Sequence, residues 1–326
     1  MDINREKRWP IILGIIVGFL VLVGFVLFLL NTLNKDLNSG SIPGIQIEVT
    51  NSSSVSVGNL DVHTLPIGDE NVSTSPKKGY IFSCQQNFNE GGAEHIGNWV
   101  HNNTWDLTEK IHVEGDVLWP KAVFNITKKG NERIINGNGL PLDSPTGIFP
   151  VQLSDPASQI GRNPNYIEKQ NYSFSLPLNP TFAAQPSCVP MGIVGIGLNG
   201  VAIFNGLDAA GRDAVVHEVQ DLCNGHPDEA GTYHYHGPSP CLPHANESNA
   251  LVGYALDGFG IYSMYDKNGK AIRSLQLDSC HGMTSEIMWD GKMVNMYHYV
   301  LTNDYPYTIG CFRGTPVKFS AGGTFL

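Results

Sequence analysis

Three textures follow one another along this chain. From Ile11 to Leu30 the run IILGIIVGFLVLVGFVLFLL carries no charge. At ~1.5 Å of helical rise per residue it reaches the roughly 30 Å of a bilayer core, which predicts a transmembrane helix over 11–30. A cleaved signal peptide is the competing reading, but its apolar region runs about 7–15 residues and ends at small residues. Here NTLNKDLNSG follows instead. Arg5, Lys7 and Arg8 precede the span and only Lys35 follows closely, so residues 1–10 are expected in the cytoplasm and the rest outside the cell membrane. Residues 31–75, rich in Asn, Ser, Gly and Thr, read as a stalk or linker.

The third texture, 76–326, alternates short apolar or aromatic runs such as GYIFSC, VLWPKAVFNI and NYSFSLPL with turn sequences such as NGNG and SPTG. That pattern predicts short strands in a mainly β domain. Within it the chain repeats itself. The segment starting VGIGLNGVAIFNGLD at Val194 returns as VGYALDGFGIYSMYD at Val252, matching Gly195 with Gly253, Gly200 with Gly258, Asp208 with Asp266 and Cys223 with Cys280. YHYH at Tyr233–His236 meets YHYV at Tyr297–Val300. Two copies, about 194–245 and 252–312, are therefore expected, related by an approximate twofold axis.

Composition sharpens this picture. Charged residues make up 15% of the chain and the formal net charge is −10 with no basic cluster, which argues against nucleic acid as a partner. Glycine (36) and proline (20) are frequent, as a turn-rich β fold requires. Six cysteines beyond a membrane span read as disulfides of an extracytoplasmic domain. The repeat favours pairing within each copy, Cys223–Cys241 and Cys280–Cys311, leaving Cys84–Cys188; a cross-copy Cys223–Cys280 bridge near the axis is the alternative. Sequons at Asn51, Asn71, Asn102, Asn125, Asn171 and Asn246 lie where glycans can be added.

The chemistry concentrates in HEVQDLCNGHPDEAGTYHYHGPSPCLPH, residues 217–244. On a strand, His234 and His236 share one face and Tyr233 and Tyr235 the other. An imidazole pair on one face suits zinc or copper rather than calcium or magnesium. His226, His217 and His298 are the candidate further ligands. If the axis brings the two YH strands together, His234, His236 and His298 form a three-imidazole site with one open position. Asp221, Glu218, Asp257 and Asp278 are candidate carboxylates for orienting imidazoles or acting as bases; aspartates beside glycine turns also cap backbone donors.

QPSCVPMGIVGIGLNGVAIFNGLD, GTYHYHG, LVGYALDGFGIYSMYDKNG and MYHYVLTNDYPYTIGCFRGTP closely resemble the YHYH domain family of exported proteins, over about Gly79 to Pro316. The resemblance implies surface display and, through its histidines, a bound metal. Relatives often carry a second full YHYH and a CHGHTH-like segment. Here the matching residues are Tyr297-His298-Tyr299-Val300 and Cys280-His281-Gly282-Met283-Thr284-Ser285, so the first copy is the expected site. Three function classes follow: a metal-dependent enzyme, a metal-binding module, or a structural protein of the cell envelope that binds a protein or glycan partner without metal.

Overall fold

A computed structural model describes residues 56–57, 60–88 and 91–318. The apolar run 11–30 lies outside the described residues; among them no helix is long and apolar enough to cross a membrane. Residues 60–75 do not behave as a linker. Val62 and Leu65 are buried, and the Gly68 N–H donates to Asp213 Oδ2 at 2.8 Å, so the domain begins earlier than its polar composition suggests.

The described residues are mainly β, with one helical turn, Ala214–His217 (α1), and two 3-10 turns. A three-stranded antiparallel sheet comprises β1 (Phe124–Lys129), β2 (Glu132–Gly137) and β3 (Tyr172–Pro177), ordered β3-β2-β1. Period-two burial in YSFSLP, with Tyr172, Phe174 and Leu176 inside, turns one face of β3 into the core.

The repeat builds one eight-stranded sheet. The first copy supplies β4 (Ile193–Gly197), β5 (Ala202–Phe204), β6 (Gly225–Pro227) and β7 (Tyr233–Tyr235). The second supplies β8 (Leu251–Ala255), β9 (Gly260–Tyr262), β10 (Gly282–Trp289) and β11 (Lys292–Val300). Their order is β6-β7-β5-β4-β8-β9-β11-β10, which reads the same outward from the centre in both directions. At that centre β4 and β8 pair antiparallel, Gly195 opposite Ala255 and Gly197 opposite Gly253. The approximate twofold runs between these strands, perpendicular to the sheet. Glycine is required there because a Cβ on Gly253 would meet the Ile196 carbonyl oxygen at 2.6 Å, and one on Gly195 the Tyr254 oxygen at 2.9 Å.

The matched aspartates serve the fold. Asp221 Oδ1 accepts from the N–H groups of Cys223 (2.9 Å) and Gly225 (3.1 Å), and its carboxylate takes the Tyr233 hydroxyl at 2.8 Å. Asp278 repeats this with Cys280 (2.9 Å), Gly282 (3.0 Å) and Tyr297 (3.1 Å). Asp257 accepts from Tyr299 at 2.6 Å and from the Gly314 N–H at 2.9 Å. Its counterpart Asn199 donates to the Tyr235 hydroxyl at 3.0 Å. The tyrosines of both YH strands are thus anchored by hydrogen bonds on the face opposite the histidines. Disulfides join Cys84 to Cys188, Cys223 to Cys241 and Cys280 to Cys311, so each copy closes its own YH strand.

Candidate metal centre

Two adjacent strands and one helix end converge in the first copy. β6 and β7 pair antiparallel with His226 opposite His234, and His236 follows on the same face of the chain as His234. One ring nitrogen from each of His226, His234 and His236 lies within 4.8 Å of the other two, and all three residues are buried. Glu218 joins from the end of α1. Asp213 caps that turn through its side chain, and the chain leaves it at Glu218 in an extended conformation. His217 and Glu218 therefore diverge.

Each imidazole is held from behind. His234 Nδ1 donates to the Thr232 carbonyl at 2.8 Å and His236 Nδ1 to the Asn205 carbonyl at 2.5 Å. A carbonyl only accepts, so in both neutral rings the proton sits on Nδ1 and the lone pair on Nε2. Those two Nε2 atoms face each other at 2.9 Å. Lone pairs at that distance repel unless a proton or a cation lies between them. Asn163 donates to His226 Nδ1 at 3.2 Å, its amide fixed by the Asn165 N–H (3.0 Å) and the Pro227 carbonyl (2.9 Å). Phe204 stacks on His234 with ring centroids 3.8 Å apart.

Glu218 Oε2 lies 3.2 Å from His226 Nε2 and 3.1 Å from His236 Nε2. Both Oε2 and His226 Nε2 are buried without an aligned hydrogen bond. Burial would push the Glu218 carboxyl up, but His226 and His236 outweigh it and hold it well below the usual range. For His236, burial pushes down and Glu218 wins, raising it. Burial, then His226 and His236, drive His234 well below the ordinary histidine value.

The other sequence candidates lie elsewhere. His217 Nε2 bonds to Asp69, 2.9 Å from Oδ2. His298 is on β11, five strand positions from β7, roughly 24 Å at ~4.8 Å per strand. The three-imidazole site across the axis is therefore corrected: the twofold runs between β4 and β8, and the YH strands are held apart on either side. In the second copy Met283 stands opposite His298. Asp221, Asp257 and Asp278 cap turns and tyrosines; of the four carboxylates only Glu218 reaches the cluster. Asn163, Thr232, Asn205 and Phe204 had no signal in the sequence, since each acts through position alone.

Residues 173–274 match the family model described as YHYH protein. No curated protein and no solved structure is matched by the chain.

Proposed function

We propose that this chain, which carries a YHYH domain over residues 173–274, binds one transition-metal ion, zinc or copper, through His226, His234 and His236. The carrying observation is the pair of Nε2 atoms of His234 and His236, 2.9 Å apart with both Nδ1 atoms committed to carbonyls. Nitrogens bound to one tetrahedral ion at ~2.0–2.1 Å are themselves about 3.3 Å apart, a few tenths of an ångström beyond this pair, and imidazole suits both metals. Glu218 adds a negative charge and a proton acceptor beside two of the ligands. Three imidazoles leave a coordination position for water, so the arrangement supports metal-dependent catalysis. The three disulfides, the charge-free run 11–30 and the exposed sequon residues Asn102, Asn125, Asn171 and Asn246 support an exported domain on an N-terminal membrane anchor.

The second reading is a buried proton network in a structural protein. Asn163 donating to His226 Nδ1 leaves the neutral His226 proton on Nε2, toward Glu218, and a proton on His236 would bridge to His234. Such a network would align the His226–Glu218 pair. The pair is 3.2 Å apart and unaligned, which favours a shared cation. Metal uptake then displaces the His226 proton.

Elemental analysis of the full chain, expressed with zinc and copper available, separates the two. About one equivalent of metal is expected, lost in the His234→Ala/His236→Ala double variant while its circular dichroism is retained. A metal-free wild type that stays folded and unchanged after chelation ends the metal reading.

A further inference from the structure

A cavity of about 1100 Å³ adjoins the histidine cluster. Met191, Ile193, Phe204, Leu256, Phe312 and Val317 line it, a wall built for an apolar body. Two contacts tie it to the cluster. Phe204 is the partition, stacked on His234 at 3.8 Å, and Thr232, also in the lining, holds the His234 Nδ1 proton. A ligand in the cavity sits one aromatic ring from the imidazoles. The volume is at or above the upper end of the ~300–1,000 Å³ usual for small-molecule sites, so the body it fits is long or bulky.

The charges around the lining are unequal. Asp228, the one acidic residue in it, already accepts from the Ala230 N–H (2.9 Å) and the Thr232 N–H (2.8 Å). Lys169 and Lys318 are exposed at the cavity's edge, and neither has an ion-pair or hydrogen-bond partner among the described residues. An apolar chamber with two uncommitted ammonium groups at its edge is complementary to an amphipathic anion.

We propose that this cavity binds an amphipathic carboxylate, its hydrocarbon body along the Phe204 wall and its carboxylate at the lysines. Occupancy needs no metal at the cluster; a metal there would make the cavity the substrate chamber of the centre described above. The proposal thus deepens that reading while remaining separable from it.

The test is equilibrium dialysis of radiolabelled decanoate, with decanol as the neutral control, against the full chain in nanodiscs, empty nanodiscs serving as blank. One saturable decanoate per chain is expected. Lys169→Ala/Lys318→Ala should weaken decanoate about tenfold and leave decanol unchanged. Ala230→Trp, at an exposed position of the lining, should weaken both by obstructing the chamber. No saturable decanoate above the blank overturns the proposal, as does a lysine variant that binds decanoate as wild type or loses both ligands equally. Metal content measured on the same samples keeps the outcomes distinct: decanoate binding by a metal-free chain ends only the metal reading, and metal without decanoate binding ends only this one.

Discussion

His226 stands opposite His234 across the β6–β7 pair, so the first-copy cluster draws imidazoles from two strands rather than from the His-x-His motif alone. His226→Ala should therefore lower metal affinity by at least about tenfold, in the range of losing one ligand or its support. His298→Ala, roughly 24 Å away by strand spacing, should leave it unchanged. Competition titration against a chromophoric chelator measures both; equal effects would refute the placement of the centre in the first copy.

The central glycine of the second copy is predicted to be intolerant. A Cβ on Gly253 would lie 2.6 Å from the Ile196 carbonyl oxygen, a backbone atom that cannot swing aside. Gly253→Ala should cost about 1–3 kcal/mol or more, read by chemical denaturation. A neutral result would mean that β4 and β8 are not in this register.

The two tyrosine anchors should differ in strength. Removing the hydroxyl in Tyr299→Phe strips buried Asp257 of a 2.6 Å donor, expected to cost about 1–3 kcal/mol. Tyr235→Phe leaves Asn199 still donating to the Cys241 carbonyl at 3.3 Å, so a loss of about 0.5–1.5 kcal/mol is expected. Denaturation midpoints of the two variants make the comparison.

Asp213, at the start of α1, sets a pH dependence. Burial pushes its carboxyl up to about 6 from 3.8, against the hydrogen bond from Tyr307 and the Gly68 N–H. The folded chain holds this proton up to about pH 6 while the unfolded chain releases it near 3.8. The group's contribution to stability is therefore full below about 3.8 and is lost as pH rises through about 6, by up to ~3 kcal/mol. Asp213→Asn keeps a capping side chain and should flatten the stability profile between pH 4 and 7. An unchanged slope in denaturation experiments would show that another group is responsible.

Much of this architecture was legible in the sequence, and the gaps have physical causes. Matched glycines and cysteines marked two copies because turns and close backbone contacts restrict residue type; the match favoured the within-copy disulfides but left the Cys223–Cys280 bridge open, and the structure decides for the former. The alternation in YHYH placed His234 and His236 on one face. A repeat does not say where its axis passes, which is why His298 could be grouped with them. His217 was diverted by Asp69, which lies in a segment whose polar composition reads as linker while Leu65 beside it is fully buried. Thr232 and Asn205 act through backbone carbonyls, to which sequence is blind.

The mirrored strand order has a consequence for how such a centre can evolve. Two identical subunits meeting edge to edge about the same axis would be obliged to carry the same side chains at both ends. Tethered in one polypeptide, the halves are released from that obligation, and each can be altered without altering the other. Met283 and Val300 stand at the places held by His226 and His236 in the other half: one flank keeps a cluster of imidazoles, and its twin keeps the strand pairing without it.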